Sequence, residues 1–409
     1  MNNENKVFKL AYFILAVTFL TFSCRKDDNP VYNNFISNEI EVAWPVSTIR
    51  TLLSTASADY PELGGLNQYI TYDVKVYKLV YSTTVGSEQI KASGLVCIPS
   101  AEGEYPVLSF QNGTNTRNDL APSEYPINPS YQLIEFMASM GFIVVIPDYP
   151  GFGESVQISH PYLLAEPTIQ SVVDMLRAVK ESCPREFSGI MAKNEYYLMG
   201  YSQGGWATLA IHKALELSHA SEFNLAGSVC GAGPYNLYNL VVGMLDSTTY
   251  PMPSYLGYII NAYSAYHYFT NPVTDLLKEP YVSRLPSLYT GTLSLSQINS
   301  QLTTTIADLF TPAFLSGFAT SPSYSTVRAA LINNSISAWN TSKPLLFVHG
   351  TGDHDVSVTA TETMYDAMIN AGTSSVTCKK ILFPGLDHGE GIVPCMTSGF
   401  LFLLNIRGH

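Results

Sequence analysis

The stretch YLMGYSQGGWATLA, residues 197–210, joins a short apolar run to a segment with helical spacing that continues as IHKALEL. Ser202 stands at the junction, with Gly200 two residues before it and Gly204 two residues after it. A turn that exposes a side chain between a strand and a helix strains the backbone, and a Cβ on either glycine would collide across that turn. The pattern therefore predicts a strand, a sharp turn that exposes the Ser202 hydroxyl, and a helix.

Short apolar runs alternate with helical spacing on both sides of this turn. Strands are predicted at 105–110, 142–148, 195–200, within 223–233, at 343–350 and at 377–383, and helices at 131–140, 167–182, 203–218, 359–371 and 394–405. Continuous apolar strands that alternate with helices are typical of a parallel sheet covered on both faces. Before them, the alternating residues 74–99 predict an antiparallel hairpin.

The alternation stops between residues 234 and 342, where Tyr, Ser, Thr, Leu and Pro are frequent and helical patches are not separated by strand runs. This segment is too apolar for a disordered linker, so it is interpreted as a mainly helical cap inserted into one α/β domain. The predicted organisation is a signal segment at 1–24, a linker with a helical extension at 25–73, the first part of the core at 74–233, the cap at 234–342, and the second part of the core at 343–409.

A serine nucleophile needs a base within reach and a carboxylate that orients the base. Asp353 follows the strand that ends near His349, in LLFVHGTGDHDVSV, and His388 follows the next strand, in KKILFPGLDHGEG. Both positions are loops at strand ends, so Ser202, His388 and Asp353 are the predicted catalytic residues. Asp355 remains the alternative acid.

Other residues of these loops are given lesser roles. His349 and His354 are interpreted as residues that shape the acid loop, and Asp387 is adjacent to His388 in sequence and so badly placed to hold its imidazole. His160, in SHPYLLAEP, either lines the entrance of the site or is a partly exposed loop histidine.

The helix after Ser202 directs the backbone N–H of Gln203 toward a developing oxyanion.

Four motifs together resemble those of the α/β-hydrolase superfamily, and more narrowly those of its secreted esterases and lipases. They are the GYSQGG turn, HG-x-x-D-x-x-V at 349–356, DHG at 387–389 and PDYPGFGES at 147–155. The resemblance spans about residues 75–405. It implies a mostly parallel central sheet flanked by helices and a Ser202-His388-Asp353 triad.

The resemblance also implies a second donor to the oxyanion. The strand YPVLSFQNGTN is similar to the one that ends in HG in the family, with Asn112 in place of the histidine. By position, the second donor is the N–H of Thr114 or of Gly113. The implied reaction is hydrolysis of a carboxylic ester, from a small molecule, a carbohydrate or a lipid. A serine peptidase and a surface binding protein on a hydrolase scaffold are the alternatives.

The N-terminus resembles a bacterial lipoprotein signal. Two lysines in MNNENKVFK precede the uncharged run LAYFILAVTFLTFS, which is shorter than a membrane span and ends directly before Cys24. The following RKDDN is similar to the acidic export tag of Bacteroidetes lipoproteins. The resemblance implies an exported protein of the outer membrane or cell surface of a Gram-negative bacterium, with membrane contact only through a lipid on Cys24. A cleaved signal peptide is the alternative.

Composition excludes several classes of partner. The formal charge is −12 and no stripe of lysine or arginine occurs, so a nucleic-acid partner is not expected. The five cysteines after Cys24 have neither C-x-x-C spacing nor a neighbouring histidine cluster, and no nucleotide-binding fingerprint follows a strand. No metal and no cofactor are therefore predicted. The sequence does not predict the oligomeric state.

Overall fold

A nine-stranded sheet forms the centre of the computed structural model, which describes residues 32–408. The strands are β1 (Phe35–Trp44), β2 (Val74–Val85), β3 (Glu88–Pro99), β4 (Gly103–Gln111), β5 (Ile143–Pro147), β6 (Ile190–Tyr201), β7 (Leu225–Gly231), β8 (Leu345–Gly350) and β9 (Cys378–Phe383). Their order across the sheet is β1-β2-β3-β5-β4-β6-β7-β8-β9. The predicted signal segment 1–24, with Cys24, lies outside the described residues.

Strand direction divides the sheet into two parts. The pairs β1/β2, β2/β3 and β3/β5 are antiparallel, whereas β5, β4, β6, β7, β8 and β9 run parallel to one another. The predicted α/β class, with a mostly parallel sheet, is confirmed. Because the parallel strands end at one edge of the sheet, the loops after β4, β6, β8 and β9 lie near one another there.

Helices cover both faces of the sheet. They are α1 (Val46–Ala56), α2 (Pro129–Glu135), α3 (Ala165–Glu186) and α4 (Gln203–Leu217) before the insertion, and α13 (Thr359–Asn370) and α14 (Ile392–Arg407) after it. Helices α3 and α4 pack against each other and against the sheet. On the other face, α14 packs together with α1 and the 3-10 helix Pro61–Tyr69 in one buried apolar cluster that includes Leu53, Leu66 and Phe400.

The segment between β7 and β8 is helical. It contains α5 (Leu237–Leu245), α6 (Pro253–Ala265), α7 (Val273–Leu276), α8 (Tyr281–Leu288), α9 (Leu295–Asn299), α10 (Ile306–Leu309), α11 (Pro312–Gly317) and α12 (Ser325–Asn333). No helix within residues 32–408 has both the length and the apolar character needed to cross a membrane.

The N-terminal segment 25–73, for which a linker with a helical extension is predicted, contains a strand besides the helices Val46–Ala56 and Pro61–Tyr69. Strand β1 lies within it and pairs with β2 from Phe35 to Trp44. Six of its ten side chains are exposed and only Phe35 is buried, so burial does not alternate regularly along the strand. The strand forms because the free edge of β2 supplies backbone partners, which a local sequence pattern does not reveal.

Candidate active site

Ser202 lies in a strained turn between β6 and α4. Its φ angle is +60° and its ψ angle is −123°, in a region that residues with a Cβ rarely occupy. Such a conformation costs about 1–3 kcal/mol and persists only where the surroundings enforce it. Backbone hydrogen bonds do so here, since Ser202 N–H donates to Gly231 O at 2.9 Å and Ser202 O accepts from Gly205 N–H at 2.9 Å.

Gly200 and Gly204, the glycines on either side of Ser202, allow three backbone segments to meet behind this turn. A Cβ on Gly204 would overlap the carbonyl oxygen of Gln111, and a Cβ on Gly200 would overlap the carbonyl oxygen of Gly204. Gln111 is the last residue of β4 and pairs with Gly200 of β6. The close approach therefore fixes the loop after β4 against the start of α4.

Ser202, His388 and Asp353 form one chain of hydrogen bonds. His388 Nδ1 lies 2.6 Å from Asp353 Oδ2, and His388 Nε2 lies 2.9 Å from Ser202 Oγ. A carboxylate only accepts, so Nδ1–H donates to Asp353 and Nε2 accepts from the Ser202 hydroxyl. Tyr201 donates its hydroxyl to His388 O at 2.9 Å and so supports the histidine loop. The three side chains that the sequence analysis selects come from the loops after β6, β8 and β9.

Asp353 accepts four hydrogen bonds. Oδ2 accepts from His388 Nδ1 and from His349 Nε2, at 3.0 Å, while Oδ1 accepts from the N–H groups of Asp355 and Val356 at 2.9 and 2.8 Å. Burial raises the pKa of the Asp353 carboxyl, but the hydrogen bonds from His349, His388 and Val356 outweigh it and lower the pKa well below its ordinary value. Asp353 is therefore a stable carboxylate at neutral pH.

The carboxylates of Asp355 and Asp387 form no hydrogen bond with His388. Asp355 contributes its backbone N–H to Asp353, and burial raises the pKa of its own carboxyl. Asp387 Oδ1 accepts from the N–H of Glu390 at 2.7 Å. The carboxylate that reaches the His388 imidazole is thus that of Asp353.

His349 has a role that the sequence analysis assigned only as loop shaping. It is fully buried on β8, its Nδ1 accepts from Thr361 Oγ1 at 2.8 Å, and its Nε2–H is shared between Asp353 Oδ2 and Val356 O. The HG-x-x-D spacing places it four residues before Asp353. That spacing is the sequence signal for the contact.

The two segments beside Ser202 carry backbone N–H groups without a partner. A Cβ built on Gly113 would lie 3.9 Å from Ser202 Cβ, which places the loop after β4 beside the serine. Within residues 32–408, the backbone N–H groups of Gly113, Thr114 and Gln203 have no hydrogen-bond acceptor. Both segments that the sequence analysis named therefore have free backbone donors.

His160 holds the Gln203 side chain. Its Nδ1–H donates to Pro150 O at 2.7 Å, so its Nε2 accepts from Gln203 Nε2 at 3.0 Å. Burial lowers the pKa of His160 to about 4, and the imidazole is neutral near pH 7. Since only 5% of His160 is exposed, the interpretation as a partly exposed loop histidine was wrong. No local pattern links residue 160 to residue 203, so this contact could not be predicted.

Three tyrosines connect the insertion to the loop after β4. Tyr258 stacks between Tyr162 and Tyr289, with ring centroids 4.3 and 4.5 Å apart. The Tyr162 hydroxyl is hydrogen-bonded to Thr114 Oγ1 at 2.9 Å, and Tyr258 donates its hydroxyl to Asn115 O at 3.3 Å. These contacts join the insertion to the candidate oxyanion residues.

Further hydrogen bonds join the loop after β4 to the insertion. Thr116 Oγ1 donates to Leu293 O at 2.7 Å, and Asn118 N–H donates to Gly291 O at 2.8 Å. Arg117 forms an isolated antiparallel bridge with Thr292. The loop is therefore attached to the insertion over several consecutive residues.

The remaining reactive side chains are structural. All cysteines of residues 32–408 (Cys97, Cys183, Cys230, Cys378 and Cys395) are buried thiols without a disulfide. Burial raises the pKa of each of them. In the described part of the chain, no group of three or more His, Cys, Asp or Glu side chains is arranged to hold a metal ion.

The family model of secretory lipases matches residues 127–396. No curated protein matches the chain.

Solved structures with a similar fold cover nearly the whole chain. A protein from Legionella pneumophila has a TM-score of 0.81 and 24% identity, over 92% of this chain and 98% of that chain. The rice cell wall degrading esterase LipA from Xanthomonas oryzae has a TM-score of 0.76 and 22% identity, over 92% and 98%. Candida antarctica lipase A in its closed state has a TM-score of 0.67 and 16% identity, over 93% and 85%. At these identities the similarity shows a shared fold, the α/β-hydrolase fold.

Proposed function

Because the chain belongs to the secretory lipase family, we propose that it hydrolyses carboxylic esters through Ser202, His388 and Asp353. The observation that supports this proposal best is the chain of hydrogen bonds from Ser202 Oγ through His388 to Asp353, at 2.9 and 2.6 Å. A hydroxyl, a neutral imidazole and a buried carboxylate in this order form the constellation that activates a serine. The proposed cap, residues 234–342, contacts the oxyanion loop through Tyr258.

In the acylation step, Ser202 Oγ forms a bond with the ester carbonyl carbon as its proton moves to His388 Nε2. The carbonyl oxygen becomes an oxyanion, for which the N–H groups of Gln203 and of Gly113 or Thr114 are donors. The carbon–oxygen bond to the alcohol then breaks, and His388 returns the proton to the leaving alkoxide. Asp353 keeps Nδ1 protonated and stabilises the imidazolium.

In the deacylation step, water takes the place of the alcohol. His388 accepts a proton from the water as its oxygen attacks the acyl carbon, and the same N–H groups stabilise the second oxyanion. The bond to Ser202 Oγ breaks, the serine regains its proton, and the carboxylic acid leaves. No metal or cofactor is needed for any of these transfers.

The proposal is tested by the hydrolysis of p-nitrophenyl esters. Purified residues 25–409 and the same protein with Ser202→Ala are assayed in parallel. We expect turnover by the wild type, a loss of at least about 10⁴-fold in Ser202→Ala, and covalent labelling of the wild type alone by a fluorophosphonate. Ser202→Ala should unfold at the same urea concentration as the wild type. Cleavage of a dipeptide nitroanilide without ester cleavage would favour the peptidase, and inactivity toward both would contradict the enzyme.

We propose in addition that the protein is exported and carries a lipid on Cys24. The secretory character of the family supports export, and the uncharged run before Cys24 supports the lipid. Radiolabelled palmitate should enter the wild type expressed in a bacterium and not Cys24→Ser. Equal labelling of both proteins, or labelling of neither, would contradict the lipid anchor.

A further inference from the structure

A cavity of about 800 Å³ begins at Ser202 and His388. It passes the loop after β4 and continues between α14, residues 128–140 and the N-terminal residues 52–66. Of the described residues in the insertion, only Tyr255 lines it. The space connected to the nucleophile thus extends away from the insertion.

The walls of the cavity differ in character from one segment to another. The loop after β4 contributes Asn112, Thr114 and Asn115, whereas the other segments contribute mainly aliphatic, aromatic and thioether side chains, including Leu53, Leu63, Leu66, Phe136, Met137 and Met396. Among the described residues that line it, Asp59 is the single carboxylate, and neither lysine nor arginine occurs. A chain that ends in an anion would find no cation here, whereas an uncharged aliphatic chain would be desolvated favourably.

A second cavity, of about 530 Å³, lies under the insertion, and it does not include the reacting groups. Tyr250, His354 and Asp355 line it, but Ser202 and His388 do not. An aliphatic group attached to an ester at Ser202 therefore has its continuous path on the N-terminal side.

The N-terminal wall is held to the core by hydrogen bonds. Trp44 Nε1–H donates to Glu135 Oε2 at 2.7 Å just before α1, and Val46 N–H donates to Asp73 Oδ1 at 2.7 Å at its start. Arg50 donates to Ile70 O at 2.9 Å. With Leu53 and Leu63 fully buried against the core, α1 and the 3-10 helix after it form a fixed surface.

We propose that residues 52–66 form the end wall of a subsite that binds an unbranched aliphatic chain of the ester. This inference rests on the proposed function, because it assigns the chain to a substrate that reacts at Ser202. Each methylene that the cavity removes from water raises kcat/KM about three- to fourfold until the chain reaches the wall. The chain belongs to the acyl part or to the alcohol part of the ester, and two substrate series distinguish these sources.

Ala56→Trp tests the wall, with Ala58→Trp as its matched control. Ala56 is half-buried and lines the cavity, whereas Ala58, two residues later, is exposed and does not. For Ala56→Trp we expect kcat/KM on p-nitrophenyl laurate to fall at least tenfold relative to p-nitrophenyl acetate, if the chain is the acyl part. If it is the alcohol part, the same fall appears for decyl acetate relative to ethyl acetate. Unchanged ratios in both series, or equal changes in Ala58→Trp, would overturn the inference.

Binding of 1-decanol to Ser202→Ala, followed by calorimetry, separates this inference from the proposed reaction. Decanol should bind more tightly than 1-hexanol, and the added Ala56→Trp change should weaken decanol binding at least tenfold. This result would support the subsite even if no ester were hydrolysed. Ester hydrolysis by the wild type with decanol binding unaffected by Ala56→Trp would leave the reaction intact and reject the subsite.

Discussion

His349 Nε2 lies 3.0 Å from Asp353 Oδ2, the same oxygen that accepts the proton of His388 Nδ1. A buried imidazole thus holds the same carboxylate oxygen that the base uses. Because both nitrogens of His349 are engaged, the second with Thr361, the carboxylate has one orientation. The acid is therefore positioned by a residue that does not itself reach Ser202.

Loss of the contact between His349 and Asp353 should lower kcat far more than it changes KM. In His349→Leu, Asp353 Oδ2 loses one donor and the carboxylate gains freedom to rotate, so kcat should fall about 10- to 100-fold with KM changed less than about threefold. His349→Gln keeps an N–H donor and should lie closer to the wild type. Steady-state kinetics on p-nitrophenyl butyrate measure both constants. A larger loss in the glutamine variant than in the leucine variant would contradict the positioning role.

The two carboxylates of the acid loop should differ in their effect on catalysis. Asp353→Asn places an amide where the His388 Nδ1–H needs an acceptor, favours the wrong imidazole tautomer, and should lower kcat by about three to four orders of magnitude. Asp355→Asn leaves the backbone N–H that Asp353 uses and should cost less than about tenfold. The same ester assay compares the two variants. If Asp355→Asn is the more damaging one, the acid is misassigned.

The glycine after the nucleophile should be intolerant of a side chain. Gly204→Ala drives a Cβ into the Gln111 carbonyl, and the backbone shift that relieves the overlap should cost about 3 kcal/mol or more in the free energy of unfolding. Gly243→Ala on α5 is the matched control, since no atom lies within 4 Å of the added Cβ. The control should gain up to about 1 kcal/mol from helix propensity. Urea unfolding measures both, and equal stabilities would contradict the close approach.

Glu135 should make stability depend on pH. Burial raises the pKa of its carboxyl to about 8, although the hydrogen bond from Trp44 acts in the opposite direction. The folded state then holds a proton that the unfolded state has released. Between the unfolded value of 4.5 and about 8, stability should fall by up to about 1.4 kcal/mol per pH unit as pH rises.

Glu135→Gln removes this titration and should become more stable than the wild type as the pH is raised from 5 to about 8.5. Urea unfolding at several pH values gives the difference between the two proteins. Glu104→Gln, at an exposed position of β4, should follow the wild type at each pH. A constant difference between wild type and Glu135→Gln would show that the carboxyl ionises normally.

The sequence predicted the sheet and the positions of Ser202, His388 and Asp353 because these depend on local rules. Apolar runs mark the parallel strands, and reactive residues directly after three of them meet at one edge. A side chain at Gly200 would collide with the carbonyl oxygen of Gly204, only four residues later. These parts of the fold and of the candidate site follow from pattern and spacing alone.

Other features depend on contacts between distant segments and so could not be predicted. Strand β1 has few buried side chains and forms on the free edge of β2. Likewise, the bond between His160 and Gln203 and the cavity wall at residues 52–66 join segments far apart in sequence. The ring contacts within the insertion, such as Tyr258 on Tyr289, likewise join residues from different helices or loops.

The stack of Tyr162, Tyr258 and Tyr289 has a consequence for how a substrate arrives. To swing away from the core, the insertion would have to separate the Tyr162–Tyr258 ring pair and break the bonds that Thr116 and Asn118 make to it, which also shifts the loop beside Ser202. A surface of oil or detergent that pulled the segment open would therefore displace the loop that carries the proposed oxyanion donors. Rates on a short soluble ester should therefore rise smoothly through its solubility limit, without the jump that marks interfacial activation.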